Sequence, residues 1–379
     1  MEKNTEFLVQ FISSLSMLSM FTYVPYWGYV LGFSLLEISL ISVFYGIAIF
    51  ATNLIIGRIS DLIGVRKPFI ILGLLITSVS IFTLSFHSNF IEFSIFRIFT
   101  AIGYGIYIPT LTALVTDKNM KLGKFSGYGT AAWAVGVFIS GIVGVFWVPG
   151  IFVFSALAVL GSGIIALVIK EVRPKTKKYE FSTTTIFWQR KRIFTSFIIR
   201  HSLASAIWTL WPLYLASLGA DEFSMALIQV LNPVTSSIIM SKFTDSIDSK
   251  LMFNMGLVFS GTTFFAYLLA PNWIFILPAQ IILGFSWAFI YVGTLRYAIE
   301  SSEFDKSTIS GWINSIQSIS TILGSTFAFV VIYLGGNIYL LIIFASVGTF
   351  LTFTINYLID FRAQSSKILS PQPVIKESP

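Results

Sequence analysis

The chain has 379 residues, 55% of them hydrophobic and 11% charged, with a formal net charge of +7 and no cysteine. A globular domain carries roughly 25% charged residues, so a water-soluble fold is excluded. Without cysteine there are no disulfides, thiolate nucleophiles or cysteine-based metal sites.

Twelve apolar runs follow one another down the chain, near 7–31, 36–56, 69–86, 90–115, 125–147, 150–169, 193–219, 222–240, 251–270, 273–298, 309–333 and 336–359. Each is long enough to cross a hydrocarbon core of about 30 Å as a helix. They lack the alternation of barrel strands. The expectation is therefore an all-α membrane protein with twelve transmembrane helices. The first run begins at Phe7, exceeds a signal-peptide core and is followed by no cleavage pattern, so it reads as a retained span.

The positive charge is placed rather than scattered. Of the 24 Lys and Arg residues, 22 fall in the N-terminal stub, the C-terminal tail and the loops after every second span or, for Arg296, in the last turn before such a loop; the other two, Arg97 and Arg200, lie deeper inside spans. Positive residues mark the cytoplasmic side. The pattern predicts a multi-pass protein of the cell membrane with both termini cytoplasmic. It sets topology and gives no reason to expect a nucleic-acid partner.

The first span carries Pro25 near its outer end and the seventh carries Pro212; proline removes a helical hydrogen bond and bends the helix. Between spans two and three stands Gly57-Arg58-Ile59-Ser60-Asp61-Leu62-Ile63-Gly64-Val65-Arg66-Lys67, and a related stretch, Ser241 to Lys250, recurs 184 positions later with Asp245 in the place of Asp61. A loop repeated at half the chain length indicates a duplicated unit. The predicted organisation is a six-helix bundle over 1–169, a basic linker over 170–192, a second six-helix bundle over 193–359 and a disordered cytoplasmic tail over 360–379. The fifth span contains Gly136, Ser140, Gly141 and Gly144, small residues that let helices approach closely. Trp27, Trp147, Trp273, Trp188 and Trp312 fall at the span ends, as an aromatic belt requires, whereas Trp133, Trp208, Trp211 and Trp287 lie deeper.

The duplicated halves and the loop at 57–67 resemble the major facilitator superfamily of secondary transporters, whose signature between spans two and three is Gly-x-Leu-Ala-Asp-Arg-x-Gly-Arg-Arg/Lys. Gly57, Asp61, Gly64 and Arg66 match it, and Leu62 and Val65 replace its cations. Arg97, Ala101 and Gly103 follow a second family signature, with alanine in the first glycine place. The antiporter pattern of span five is met only by Gly136 and Gly144. The resemblance implies two pseudo-symmetric six-helix bundles and a gating loop formed by Gly57, Arg58, Asp61, Gly64, Arg66 and Lys67, with Asp245 as the weaker copy. In that loop Asp61 would clamp the cytoplasmic side. It also implies that spans one, four, seven and ten line a central cavity.

Helical spacing on those spans joins Arg97, Ala101, Tyr104 and Ile108 in span four, and Gln280, Gly284, Trp287 and Tyr291 in span ten. In span seven it joins Arg200, Ala204 and Trp211, with Trp208 flanking, and in span one Ser13, Met17, Met20 and Val24. The candidate substrate-cavity residues are Arg97, Tyr104, Arg200, Trp208, Trp211, Gln280, Trp287 and Tyr291. An arginine at a helix centre costs about 2.5–3.5 kcal/mol on insertion scales, so each must face protein, water or substrate, or snorkel to the headgroups. Glu92 is the nearest acid to Arg97 in sequence, at an awkward angle for a pair. His201, beside Arg200, reads as a structural histidine.

The expected function is secondary transport of a small organic solute, with proton-coupled efflux of amphipathic compounds as the first version. Uptake or facilitated transport of an anionic or sugar-like metabolite is the second, and a non-transporting receptor of the same fold the remote alternative. The expected partners are the substrate, the bilayer and, for the first version, protons; one chain would suffice as a monomer. Two histidines, no cysteine and no mid-span acid argue against an intramembrane enzyme, and no cofactor or metal is implied.

Overall fold

The computed structural model describes residues 5–118, 120, 122–172, 187–188, 190–243, 247–300 and 306–369. Among them are twelve helices long and apolar enough to span a membrane. The first half comprises α1 (Thr5–Val30), α2 (Leu35–Ile63), α3 (Lys67–Leu84), α4 (Phe90–Asp117), α5 (Leu122–Phe146) and α6 (Val148–Ala166). The second comprises α7 (Lys191–Ser217), α8 (Glu222–Lys242), α9 (Ser249–Leu268), α10 (Ile276–Glu300), α11 (Lys306–Tyr333) and α12 (Ile338–Leu369).

Local chemistry sets where these helices begin and end. Ser34 and Glu37 close a capping box on α2, and Asn89, Asp221 and Asp248 accept amide hydrogen bonds at the starts of α4, α8 and α9. These contacts satisfy amides that a helix start leaves open. Gly64 ends α2 at φ 70°, with its N–H on the Ser60 carbonyl, a conformation that glycine alone adopts without strain. Pro25 and Pro212 lie inside α1 and α7 without ending them. The connections between most helices are short, so successive helices run antiparallel. The face where α1 begins and α12 ends is called the terminal face below, and the opposite one the far face.

The duplication read from the repeated loop is visible in the packing. In the first half α3 packs on α4 and α6, α1 on α5 and α6, and α2 on α4. Six helices later the same scheme recurs: α9 on α10 and α12, α7 on α11 and α12, and α8 on α10. The halves meet along α5–α8 and α2–α11, with α1 against α7 between them. Outward faces are apolar and exposed, as at Leu72, Leu75 and Val79 of α3 and Ile343, Val347, Leu351 and Ile355 of α12. That inverts a soluble protein's surface and suits lipid.

One boundary differs from the expectation. The stretch from 360, read as a disordered tail, begins as helix: α12 runs on to Leu369. Asp360 anchors it through Arg192 at 2.6 Å and Lys250 at 2.7 Å. Residues 370–379 and 173–186 of the linker lie outside the described residues.

Candidate functional site

Three groups of side chains along the seam bear on function. The first closes the far face. Tyr23 and Tyr26 of α1 reach across to the start of α8, where Tyr23 donates to the Glu222 carbonyl at 2.7 Å and Tyr26 to the Glu222 carboxylate at 2.8 Å. The α5 helix can lie against α8 there because Gly141 and Gly144 have no side chain. A Cβ on Gly141 would sit 2.3 Å from the Ala226 Cβ, and one on Gly144 would sit 3.0 Å from the Glu222 Cβ. Phe138 and Phe223 meet across the same contact, with ring centroids 6.0 Å apart. Below this latch the apolar core is continuous across the seam, joining Tyr23, Tyr104 and Leu111 to Ala206, Leu210, Leu213, Ala328 and Val331.

The second group surrounds Arg97 of α4, which is buried against Tyr45 of α2. Its guanidinium lies 3.9 Å from the centre of the Tyr45 ring, and Nη1 has no hydrogen-bond partner. Tyr104, two turns along α4, shares a 3.0 Å hydrogen bond with Ser16 of α1. Glu92 is not the partner of Arg97. It is exposed and stands 3.9 Å from His87 Nε2, because five helical residues place it about 140° round the axis.

The third group lies on α7 and α10. Arg200 is fully buried and donates through Nε to Ser260 at 2.7 Å and through Nη2 to Ser286 at 3.4 Å, while Nη1 is unpartnered. The Trp208 and Phe264 rings lie 6.0 and 5.8 Å from it. His201, the next residue, is ringed by Phe197 at 5.6 Å, Trp208 at 5.4 Å and Trp287 at 5.6 Å. Trp287 in turn stacks near Tyr291 at 5.5 Å. Phe21 of α1 touches Trp208 at 6.3 Å, so the cluster reaches across the seam.

The eight expected cavity residues therefore do not form one site. Arg200, Trp208, Trp287 and Tyr291 come together around His201. Arg97 and Tyr104 lie in the other half. Trp211 is packed in the second-half core against Tyr267 at 4.7 Å, and Gln280 donates to the same Tyr267 hydroxyl at 3.2 Å. The single stripe expected on α10 meets different helices at different heights: seven residues return to within about 20° of the same face but advance about 10.5 Å along the axis. Gln280 turns toward α9, the Gly284 surface meets Thr235 of α8, and Trp287 faces α7. Phe21, Tyr45, Ser260 and Ser286 were not singled out by spacing, since each matters through a contact with a helix distant in sequence.

At the terminal face the connection between α2 and α3 is held from within the first half. Arg66 donates through Nε to Asp117 at 3.1 Å and through Nη1 to Ser60 at 2.7 Å. The Glu171 carboxylate accepts from the main-chain amides of Arg66 (3.0 Å) and Lys67 (2.7 Å) at the start of α3, where the helix dipole favours a negative charge. Lys67 also reaches the Leu167 carbonyl at 2.6 Å. Gly57, Arg58 and Asp61 lie on the last turns of α2, with their side chains outside the described residues, as is the whole of Asp245. The clamping role expected of Asp61 thus lies outside the described residues.

Two similar helical halves, packed by one scheme and meeting at a seam with polar and aromatic groups at membrane depth, define a transporter-type membrane protein. The chain belongs to the Major Facilitator Superfamily, whose family model matches residues 7–325, and is a secondary transporter of that fold. Among solved structures it is similar to the nucleoside transporter NupG, with a TM-score of 0.76 at 13% identity, covering 93% of this chain and 98% of that one. It is also similar to a POT family transporter in complex with 5-aminolevulinic acid, with a TM-score of 0.73 at 15% identity over 97% and 96% of the two chains. A third is the human organic anion transporter MFSD10 (TETRAN), with a TM-score of 0.66 at 14% identity over 93% and 98%. These likenesses show the shared fold. No curated protein matches the sequence.

Proposed function

We propose that this protein carries a small organic anion across the cell membrane by alternating access, with both termini cytoplasmic. The halves over 1–169 and 193–359 rock about the seam, joined by the linker over 170–192, and a monomer suffices because both halves lie on one chain. The observation that supports an anion is the state of the two intramembrane arginines. Arg97 and Arg200 are buried, each has a guanidinium nitrogen without a partner, and their described neighbours are tyrosine, serine, tryptophan and phenylalanine. A buried cation without a carboxylate is costly, and an anionic substrate would offset that cost on binding. Amphipathic cations would meet the same field as repulsion.

The experiment is flux of labelled organic carboxylates into proteoliposomes, with and without a pH gradient. Arg97→Gln should abolish flux of the anion. Equal transport of a lipophilic cation by wild type and variant would overturn the reading. Proton-coupled efflux of amphipathic compounds is the second reading, favoured by the aromatic contact of Phe21 with Trp208 across the seam; acceleration of an amphipathic cation by the pH gradient would select it.

A further inference from the structure

We propose that His201, Trp208, Trp287 and Tyr291 form a subsite for a planar aromatic or heteroaromatic ring, roofed by Phe21 of the opposite half. The inference names the substrate class for the anion reading above and rests on it.

Three observations converge on this corner. First, the rings gather around the imidazole at the edge of the second-half core. His201 lies 5.4 Å from Trp208 and 5.6 Å from Trp287, and Trp287 continues to Tyr291 at 5.5 Å. Trp208, Trp287 and Tyr291 are each only partly buried, unlike Trp211, which is 2% exposed in the second-half core. Second, the His201 ring is 7% exposed, yet its Nδ1 has no hydrogen-bond partner. A buried polar nitrogen with nothing to bond is expensive. A ring carrying a heteroatom or a hydroxyl at its edge would satisfy it while stacking on the indoles. Third, the corner belongs to both halves. Phe21 on α1 touches Trp208 at 6.3 Å and is 38% exposed although its helix packs on α5, α6 and α7. Phe21 lies about 13 Å below the far end of α1 at 1.5 Å per residue, beneath the Tyr23 and Tyr26 contacts with Glu222. The roof therefore stands between the subsite and the latched mouth, and must part when that mouth opens.

The neighbouring charge restricts what the ring can carry. Arg200 lies 6.0 Å from the Trp208 ring, so an aromatic cation is disfavoured where an aromatic carboxylate is not. Planarity is the discriminating property, because aromatic side chains reward a flat π-face with offset or edge contact.

The test uses purified full-length protein and three probes: 2-naphthoate, decahydronaphthalene-2-carboxylate (same charge, not planar) and 2-naphthol (planar, neutral). Binding is read by calorimetry and thermal shift. The subsite predicts that 2-naphthoate binds and the saturated acid binds about tenfold more weakly, the most that loss of one ring stack gives. Trp287→Leu should lower 2-naphthoate affinity by a similar factor while Trp287→Tyr restores most of it. The unliganded melting temperature of each variant reports whether it folds, and Trp208→Leu and His201→Ala provide independent variants of the same corner. Equal binding of the flat and saturated acids overturns the ring subsite and leaves the anion reading standing. Binding of 2-naphthol as tight as that of 2-naphthoate, unchanged by Arg97→Gln, supports the subsite and overturns the anion reading. No binding of any probe by folded protein overturns both.

Discussion

At the scale of single residues, the two arginines make different demands and predict different phenotypes. Arg200 is ringed by Ser260, Ser286, Trp208 and Phe264, and the two serine hydroxyls already bond each other at 2.5 Å. Replacing an uncompensated buried charge by an apolar side chain of similar volume is often neutral or stabilising. Arg200→Met is therefore expected to melt at or above the wild-type temperature while losing organic-anion binding at least tenfold. A large drop in melting temperature would show that Arg200 holds the bundle together instead. Depth was legible from sequence, because any arginine seven residues from a span end lies about 10 Å inside. What each guanidinium touches was not. Tyr45 is 52 positions from Arg97 and Ser260 is 60 from Arg200, and helical periodicity carries no information about which helix stands opposite.

At the scale of helices, α5 shows how one residue type serves two purposes. A Cβ on Gly136 would lie 1.8 Å from the Leu15 carbonyl oxygen of α1, a contact within the first half. A Cβ on Gly141 would lie 2.3 Å from Ala226 of α8, a contact between the halves. Overpacking costs about 1–3 kcal/mol where the backbone cannot move, so Gly136→Ala should lower the melting temperature by several degrees. Gly141→Ala has another escape, since the halves can part. It should leave the melting temperature nearly unchanged and raise thiol labelling of a cysteine placed at Phe223. The same logic applies to Tyr26→Phe, which removes one hydrogen bond of the latch. The cap on α8 adds a pH expectation. Hydrogen bonds from the Ser224 side chain and amide hold the Asp221 carboxyl below its ordinary value. A lowered carboxylate pKa stabilises the folded cap above the unfolded value of about 3.9 and loses that support only as pH falls through the lower folded value. Labelling at the far mouth governed by this cap should thus be flat from about pH 5 to 8. The small residues of α5 were readable in sequence; that one packs inward and its neighbour five residues on packs across the seam was not.

At the scale of the whole molecule, the duplication was the most legible feature, because a loop repeated at an offset of 184 constrains the packing of every helix between its copies. The seam was less legible, since its far end is closed by Tyr23, Tyr26 and Glu222, residues some 200 positions apart that no motif links. That closure supplies the most direct test of alternation. Phe138 and Phe223 face each other across it and are each 39% exposed, so cysteines at both positions can be reached by a membrane-permeant thiol reagent. If transport needs the far mouth to open, bridging the pair with a short bifunctional thiol reagent should stop flux, and reduction should restore it. The single cysteine variants under the same reagent control for simple obstruction and should keep most of their flux. Undiminished flux in the fully bridged protein would mean that substrate crosses without parting α5 from α8, and the two halves would then have to be regarded as one rigid body with a path elsewhere.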